Sequence, residues 1–462
     1  MRYSGNPVPC GTRNECQDLS IERKLRSLFL NAILSPRWRT LRRRFSEARR
    51  RIAGRRHVVS AFLQLDDPYS YLLAHYLPSL AAHYDIELRL HISQSRGGEF
   101  QPAPDMLAEY AVADCARVAR ELGVPFLDKG TTPPVEHRLA LLDAAAANAG
   151  SEDFDAELLQ SLAIYWRGDA EAAARRIGSA AAGGAESIIA KSQQLQSRLG
   201  HYNSATLHYG GEWYWGIDRL HYLADRLDGL GVARHESPNA LLGSIRQAMQ
   251  VTLPVKPPLA AKELPPIELF YSFRSPYSYL SLQRIYDIAD AFGIELILRP
   301  VLPMVMRGMK VPLAKLLYIA KDTIREAERL GIPFGKIADP VGSGAERCLA
   351  TFIYAESQKR GREFLLDAGT AIWSEAIDVA TDSGLRRVTA RTGLFWPDVK
   401  AAMHSEEWRA PVEANRESMM SSGVWGVPTF RMGEFVAWGQ DRDWLLVRHI
   451  EELCDTGDGI LV

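Results

Sequence analysis

The pattern of apolar and polar positions in the C-terminal half predicts a strand, a helix and a second strand in succession. A β-rich apolar run covers Ile267–Phe273. Ser275 and Pro276 follow, a preferred N-cap residue and a preferred first helical residue, and apolar positions then recur at helical spacing in YLSLQRIYDIADAF. A second β-rich run covers Ile294–Val301. This order predicts two parallel strands joined by a right-handed helical crossover.

The rest of this half predicts a helical insert, a hairpin and a closing helix. Helical spacing recurs over Lys315–Leu330 and again over Arg347–Val379. The hairpin is predicted over Val427–Gly439, and the closing helix is predicted to begin with Asp441 as its N-cap. The order β-α-β, helical insert, β-β-α indicates an α/β domain.

One phrase of this pattern occurs twice in the chain. FLQLDDPYSYLLA at Phe62–Ala74 matches FYSFRSPYSYLSL at Phe270–Leu282, and Asp67 stands in the earlier copy where the later copy has Ser275. The same spacing relates LGVPF to LGIPF further along, and WGIDR and WGQDR recur near the end of each copy. Several matches in one order predict two homologous domains in tandem.

Composition then sets the predicted domain boundaries. Residues 1–56 form a basic arm, predicted to be partly helical, with 15 Lys and Arg against 4 Asp and Glu. Residues 57–240 hold the first copy, and residues 241–264 form a proline-rich linker. Residues 265–462 hold the second copy, which is expected to carry the active site. Two tandem copies are expected to form a monomer with an internal pseudo-dimer.

Overall composition and charge narrow the class of protein. The chain has 462 residues, 47% hydrophobic and 24% charged, with a formal net charge of −1, which is typical of a globular protein. It has no apolar run of the roughly 18 residues that would predict a membrane span. Its five cysteines do not make a disulfide framework, and their odd number favours a reducing compartment, so we expect the cytoplasm.

The basic arm has three interpretations. LSIERKLRSLFLNAIL is typical of an amphipathic helix, and RWRTLRRRFSEARRRIAGRR adds arginines in blocks. Such a segment could bind weakly to an anionic membrane surface or bind nucleic acid. It could also lie against the acidic remainder of the chain. We favour the last interpretation and expect no nucleic-acid partner.

The ordered motifs of the second copy resemble one family. FYSFRSPYSYLSL, LRPVL, AERLGIPF, AIWSEAIDVA and GVWGVPTFRMGEFVAWGQDR together resemble the DsbA-like branch of the thioredoxin superfamily, and within it the 2-hydroxychromene-2-carboxylate isomerases and kappa-class glutathione transferases. The resemblance spans Ile267–Leu446, and Val58–Leu227 resembles a degenerate relative. It implies an α/β protein of two tandem thioredoxin-like (DsbA-like) domains, each with an inserted helical subdomain.

The resemblance also implies a chemistry. Disulfide oxidoreductases of this fold carry CxxC where the first strand meets the helix, and neither copy has it: the second reads SPYS from Ser275 and the first reads DPYS from Asp67. In the isomerases and kappa-class transferases the thiol comes from glutathione, and the serine that matches Ser275 faces its sulfur. Ser275 is therefore the expected catalytic residue, and glutathione the expected co-substrate for an aromatic or conjugated small molecule.

Four further positions carry over from the family as expected glutathione-binding residues. Pro428 matches the family's cis proline, and the backbone of Val427 would pair with the cysteinyl part of glutathione. Gln440 and Asp441 match the pair that holds the γ-glutamyl end. The chain departs from the family at Met309, where relatives often carry a glutathione-binding asparagine. No spacing of histidines or carboxylates indicates a metal site.

Each candidate also has a structural interpretation. Ser275 before Pro276 is explained by helix capping alone, Pro428 by a structural turn, and Asp441 by capping of the last helix. In the first copy Asp67 would place a negative charge where a thiolate should form, and Ala205 replaces the proline, so the loop before it is predicted to be trans. We expect that copy to keep the packing and lose the chemistry.

The sequence motifs and the family resemblance leave three candidate functions. The first is a glutathione-dependent isomerase or transferase acting on an aromatic or conjugated carbonyl compound. The second is a non-catalytic thioredoxin-fold binding or scaffold protein. The third, a thiol–disulfide oxidoreductase, is disfavoured because CxxC is missing.

Overall fold

The computed structural model describes Asn31 and residues 35–127, 134–177, 184–234 and 240–458. These residues form two compact units. The N-terminal unit comprises residues 40–250 with 312–318, and the C-terminal unit comprises residues 251–311 and 319 onward with the described residues before 40.

The described residues up to 250 contain a leading helix, four strands and eight further helices. In chain order they are α1 (Pro36–Ile52), β1 (Val58–Leu63), α2 (Pro68–His83), β2 (Glu87–Ile92), α3 (Pro104–Leu122), α4 (Val135–Ala147), α5 (Phe154–Arg167), α6 (Ala170–Ile177), α7 (Ala185–Leu199), β3 (Thr206–Tyr209), β4 (Glu212–Trp215), α8 (Leu220–Asp228) and α9 (Ala240–Ala248).

The described residues after 250 contain four strands and eight helices. They are β5 (Ile267–Tyr271), α10 (Pro276–Phe292), β6 (Leu296–Pro300), α11 (Leu313–Leu330), α12 (Ser343–Ser357), α13 (Gly361–Trp373), α14 (Asp382–Arg391), α15 (Trp396–His404), α16 (Arg409–Ser421), β7 (Thr429–Met432), β8 (Phe435–Trp438) and α17 (Asp443–Asp458).

The C-terminal sheet has the predicted mixed topology. Its strand order is β6-β5-β7-β8. The central strand β5 pairs in parallel with β6, Leu269 opposite Leu298, and antiparallel with β7, Leu269 opposite Phe430. Every residue of β5 is buried, because both faces of this strand are covered. The predicted β-α-β, helical insert and β-β-α order is therefore confirmed in this unit.

The N-terminal sheet repeats the same arrangement. Its order is β2-β1-β3-β4, with β1 parallel to β2 and antiparallel to β3. β3 and β4 form a hairpin in which Thr206 lies opposite Trp215, as Thr429 lies opposite Trp438 in the C-terminal sheet. The two sheets share strand order, strand direction and hairpin register.

The repeated sequence motifs also make matching contacts in the two units. Tyr71 donates a hydrogen bond from its hydroxyl to the Pro125 carbonyl, and the Tyr279 hydroxyl donates to the Pro333 carbonyl at 3.0 Å. A Phe–Trp ring stack follows in each unit, Phe126 on Trp166 and Phe334 on Trp373. In each unit the tyrosine contact ties the helix that follows the first strand to the helical insert. They agree with a duplication, which stays a hypothesis.

Two sequence predictions differ from the structure near the element ends. The closing helix α17 begins at Asp443, so the prediction that Asp441 is its N-cap is wrong. Asp441 instead lies in the turn before the helix, and its carbonyl accepts a hydrogen bond from Trp444 Nε1 at 3.1 Å. Within the predicted linker, Ala240–Ala248 is helical and the irregular, proline-rich stretch starts after it.

The described part of the basic arm is the helix α1. It has no buried residue, and Arg43 forms a two-bond ion pair with Glu212 of β4 at 2.7 and 2.8 Å. This contact agrees with the interpretation that the arm lies against acidic groups of the remainder of the chain. The predicted amphipathic helix LSIERKLRSLFLNAIL lies, except for Asn31, outside the described residues. Among the described helices, none combines the length and the apolar character needed to cross a membrane.

Candidate functional site

Ser275 lies at the turn between β5 and α10, as the sequence predicts. It is the N-cap of α10: its Oγ accepts a hydrogen bond from the Ser278 N–H at 3.1 Å, and Pro276 takes the first helical position. The cap leaves the hydroxyl proton to donate elsewhere, and it points to the Val427 carbonyl at 3.3 Å. Ser275 is half-buried, so its hydroxyl lies at the start of a helix where the backbone favours negative charge.

Val427 and Pro428 lie directly opposite this turn. The peptide bond between them is cis, as the family resemblance implies. Pro428 is buried and its carbonyl accepts a hydrogen bond from the Gly439 N–H at 3.0 Å, while Val427 is half-buried. Within the described part of the chain the Val427 N–H donates no hydrogen bond. Three of the five predicted site residues, Ser275, Val427 and Pro428, therefore meet at one place.

The glycine before Val427 has a steric reason. A Cβ on Gly426 would lie 2.3 Å from the ring of Trp438, so only glycine allows the loop to approach β8 this closely. Trp438 in turn packs edge-on against Trp425, with ring centroids 5.1 Å apart. This packing fixes the position of the loop that faces Ser275.

Two further hydroxyls of the turn are buried without a partner. Ser272 and Ser278 are 3% and 0% exposed, and among the described residues neither Oγ makes a hydrogen bond. Buried polar groups are normally paired, and an unpaired hydroxyl costs about 1–3 kcal/mol. The turn around Ser275 thus holds unused hydrogen-bonding capacity next to its half-buried hydroxyl.

Polar contacts that the sequence did not reveal hold this turn in place. Arg274, immediately before Ser275, forms a two-bond ion pair with Asp339 at 2.9 and 3.0 Å. The Tyr277 hydroxyl donates to the Asp322 carboxylate at 2.7 Å. Both acids belong to the helical insert, so the insert fixes the position of the helix start. The two partners of each pair are 65 and 45 residues apart in the chain, so no local sequence spacing indicates these contacts.

Gln440 is part of a buried polar network. It is 2% exposed; its Oε1 accepts from Arg284 and its Nε2 donates to Glu326, each at 2.8 Å. Arg284 also pairs with Asp443. Both ends of the Gln440 amide are thus bound within the protein. Gln440 lies two residues after the end of β8 and directly after Gly439, whose N–H donates to the Pro428 carbonyl.

Asp441 and Met309 lie on two different segments, one after β8 and the other after β6. Asp441 follows Gln440, and its side chain is 26% exposed, with Oδ1 3.8 Å from Arg442 Nη1. Met309 is half-buried, and its N–H donates to the Met304 carbonyl at 3.1 Å at the end of the 3-10 helix Met304–Arg307. Asp441 therefore offers a partly exposed carboxylate, and Met309 offers an apolar side chain.

The matching turn of the N-terminal unit is closed by internal hydrogen bonds. Asp67 caps α2 by accepting from the Tyr69 N–H at 3.1 Å. Its Oδ2 also accepts from the hydroxyls of Ser70 and Ser204, at 2.8 and 2.7 Å. Burial raises the pKa of the Asp67 carboxyl, and these hydrogen bonds oppose that rise. The oxygens of the Asp67 carboxyl are thus hydrogen-bonded to groups of the protein itself.

The loop opposite Asp67 is reshaped as expected. Ala205 has a left-handed backbone (φ 53°), and the bond before it is not among the cis peptide bonds. The Ala205 N–H donates to Ser70 Oγ at 3.1 Å, so the loop binds the helix start directly. The hydroxyl of Ser70, which matches the unpaired Ser278, is therefore fully used in this unit.

The described cysteines lie away from both turns. Cys115 and Cys348 are fully buried in α3 and α12, as small apolar residues, and Cys454 is buried in α17. Burial raises the pKa of the Cys348 thiol well above its usual value. The three thiols are buried in helices away from the turn, so none of them is placed for disulfide exchange beside Ser275.

Other candidate sites among the described residues are weaker. An open groove of about 550 Å³ lies by the C-terminal half of α10, at the opposite end of the helix from Ser275; it is lined by Gln283, Tyr286, Asp290, Leu296, Leu298, Glu356, Lys359, Gly361, Arg362 and Glu363. In the part of the chain that the structure describes, no group of three His, Cys, Asp or Glu side chains is placed to hold a metal ion.

Comparison with known proteins places the C-terminal unit in a family. A family model for the DSBA-like thioredoxin domain matches residues 266–451. A 2-hydroxychromene-2-carboxylate isomerase of Pseudomonas putida is 27% identical over 202 residues, which are 41% of this chain and 95% of that protein.

Two solved structures are similar to part of this chain. A 2-hydroxychromene-2-carboxylate isomerase structure aligns at 22% identity with a TM-score of 0.38, over 42% of this chain and 99% of that one. The cytosolic disulfide reductase DsbM of Pseudomonas aeruginosa, solved with GSH, aligns at 20% identity with a TM-score of 0.33, over 40% of this chain and 98% of that one. By the family match and the topology of its sheet, the C-terminal unit of this chain is a DSBA-like thioredoxin domain.

Proposed function

We propose that the C-terminal unit is a glutathione-dependent isomerase, or a transferase of the same kind, acting on an aromatic or conjugated carbonyl compound. The observation that carries the proposal is the Ser275 hydroxyl, half-buried at the N-cap of α10 and 3.3 Å from the Val427 carbonyl. The relatives named 2-hydroxychromene-2-carboxylate isomerase support the reaction class, since the match covers nearly their whole length.

The residues at this turn fit glutathione in part. The Val427 backbone has an unused N–H and would pair with the cysteinyl part of the tripeptide as an added strand does. Asp441, with its partly exposed carboxylate, would meet the γ-glutamyl ammonium. Gln440 fits this role less well, because its amide already binds Arg284 and Glu326. Its contribution to binding would come from the backbone.

Glutathione, when bound, would supply a thiolate that adds reversibly to a conjugated substrate. Ser275 would orient its hydroxyl proton toward the sulfur instead of the Val427 carbonyl, and so favour the ionised form. The N-terminus of α10 would add a favourable field for negative charge. Together these effects lower the pKa of a thiol held at this position, which is the function of the turn.

The described thiols and the position of the turn are consistent with this proposal. None of the three described cysteines, Cys115, Cys348 and Cys454, lies at the turn, which is consistent with a thiol supplied by glutathione. Glutathione is abundant in reducing compartments, and we place the protein in the cytoplasm for that reason. The N-terminal unit would take no part in the reaction, because Asp67 is already bound by Ser70 and Ser204.

A second candidate is a non-catalytic binding or scaffold protein. The observation that favours it is the engagement of Gln440 together with Met309 at the position where relatives often carry asparagine. Both features remove polar contacts that glutathione would use. A thiol–disulfide oxidoreductase stays disfavoured, since the turn carries serine in place of CxxC.

Turnover with and without glutathione distinguishes these functions. The assay follows a 2-hydroxychromene-2-carboxylate and, separately, a chloronitrobenzene, each with and without millimolar glutathione. The proposal predicts conversion only when glutathione is present. Absence of conversion and of glutathione binding would favour the scaffold, and reduction of insulin disulfides would favour the oxidoreductase.

A further inference from the structure

Arg307 is hydrogen-bonded to the loop that faces Ser275. It ends the 3-10 helix Met304–Arg307 that follows β6. Its Nη2 donates to the Trp425 carbonyl at 3.1 Å, two residues before Val427. Arg307 is half-buried, and burial lowers its pKa to about 10, so the guanidinium is still charged at neutral pH. A cation is thus held at the side of the candidate site.

The charge of Arg307 has no counter-ion among the described residues. Its Nε is buried without a hydrogen-bond partner, and the guanidinium makes no ion pair within the part of the chain that the structure describes. Other partly buried arginines of this unit do make such pairs: Arg274 with Asp339, and Arg284 with Asp443. Arg307 differs from them because its guanidinium forms no ion pair with a carboxylate of the described residues.

The charged groups on the neighbouring helix do not supply the missing acid. Glu413 on α16 is bound to Arg416 by three contacts of 2.6–2.9 Å. Arg416 lowers the pKa of Arg307 as a like charge, and Glu413 raises it. A partly desolvated cation without a counter-ion is costly, and a bound anion would lower that cost.

We propose that Arg307 binds a carboxylate of the ligand held at the Ser275 turn. Its planar fork matches a carboxylate with two parallel hydrogen bonds, which a lysine could not provide. The carboxylate could belong to the conjugated substrate or to glutathione, and the chemistry of recognition is the same in both cases. The inference rests on the proposed function for the identity of the ligand, although the pairing of Arg307 with a carboxylate can be measured without turnover.

The test uses the full chain and three variants: Arg307→Met, Arg307→Lys and, as a control, Arg387→Met, which alters an exposed arginine on α14. Calorimetry measures binding of benzoate and its neutral analogue benzamide, then of glutathione and of a 2-hydroxychromene-2-carboxylate. Loss of a charge-assisted two-bond contact should weaken carboxylate binding roughly 10–100-fold in Arg307→Met. Arg307→Lys should lie between, and Arg387→Met should match the wild type.

The pattern of losses identifies the carboxylate. A loss confined to benzoate and the chromene carboxylate assigns Arg307 to the substrate, and a loss confined to glutathione assigns it to the tripeptide. Benzamide should bind equally to all four proteins. If no carboxylate binds to the wild type, or if Arg307→Met binds all three as the wild type does, the proposal is overturned.

Failure of the proposed function would look different. If the wild type neither binds glutathione nor converts the chromene carboxylate, but binds benzoate through Arg307, the isomerase proposal fails and the carboxylate site stands. Circular dichroism shows whether Arg307→Met is folded, and Arg307→Lys supplies the comparison if it is not.

Discussion

The turns at Asp67 and Ser275 share a backbone and differ in what their side chains leave available. Both residues cap a helix that begins with proline, and both face a loop that leads into a hairpin. Asp67 accepts hydrogen bonds from Tyr69, Ser70 and Ser204, so its oxygens are used within the protein. Ser275 uses its oxygen for the cap and keeps a proton that can be redirected.

The hydroxyls around each turn show the same contrast. Ser70 Oγ accepts from the backbone of Gln64 and Ala205 and donates to Asp67. Ser278, at the matching position, is fully buried and has no hydrogen bond from its Oγ among the described residues. The N-terminal unit therefore keeps the fold, but the Asp67 carboxylate already binds the hydrogen-bond donors of its turn.

The largest expected effect comes from giving the C-terminal turn the residue of the N-terminal one. Ser275→Asp keeps a good N-cap, as Asp67 shows, so the free energy of unfolding should change little. The new negative charge would oppose a thiolate, and glutathione-dependent turnover should fall below detection. Steady-state kinetics and urea unfolding measure the two quantities. Full activity in Ser275→Asp would mean that the hydroxyl has no catalytic role.

Removing the hydroxyl without adding charge should have a smaller effect. Ser275→Ala should lower turnover roughly 10–1,000-fold, the range found when one positioned donor is lost. It should also cost roughly 0.5–2 kcal/mol of stability, because the cap is lost. Comparing kcat with the melting curve separates the two losses. A stability loss with unchanged kcat would assign Ser275 to capping alone.

Acid should weaken the N-terminal unit through two half-buried histidines, His91 and His208. Burial lowers the pKa of His91 and of His208 to about 4, below the ordinary value near 6.5. The folded state holds both rings neutral, so their stabilising contribution is present above pH 6.5 and is lost as the pH falls toward 4. The loss should reach roughly 1–3 kcal/mol by pH 5.

Hydrogen exchange at pH 7 and pH 5 locates this effect. Segments of β2 and β3 should lose protection at pH 5, since they carry His91 and His208. His91→Gln and His208→Gln together should flatten the pH dependence, because the glutamine side chains do not titrate. Unchanged pH dependence in the double variant would assign the acid response to other groups.

The smallest expected effect is at Asp67 itself. Asp67→Ala should cost roughly 0.5–2 kcal/mol of stability through loss of the cap, with turnover unchanged. The matched measurement is the same pair of assays used for Ser275→Ala. A fall in turnover comparable with that of Ser275→Ala would show that the N-terminal turn takes part in the reaction.

Local sequence was sufficient where local chemistry decides the structure. Ser275 before proline predicted the start of α10, and the family resemblance at GVPTF implied the cis bond at Pro428. The closing helix begins one residue later than an N-cap at Asp441 implies, because WGQDRD offers acids at both 441 and 443.

The remaining features depend on residues far apart in the chain. Gln440 could not be recognised as bound, since Glu326 and Arg284 lie 114 and 156 residues away. The closure of the N-terminal turn depends on Ser204, which is 137 residues from Asp67. That Arg307 lacks an acidic partner becomes visible only when Glu413, on a helix about 100 residues further along the chain, is seen to be bound to Arg416. Such pairings are set by the tertiary fold and leave no local signal.

Calorimetric titration of the full chain with glutathione tests the central contrast most directly. The account predicts binding at one site per chain, abolished in Ser275→Asp and unchanged in Asp67→Ala. No binding at millimolar glutathione, or binding that survives Ser275→Asp, would contradict it.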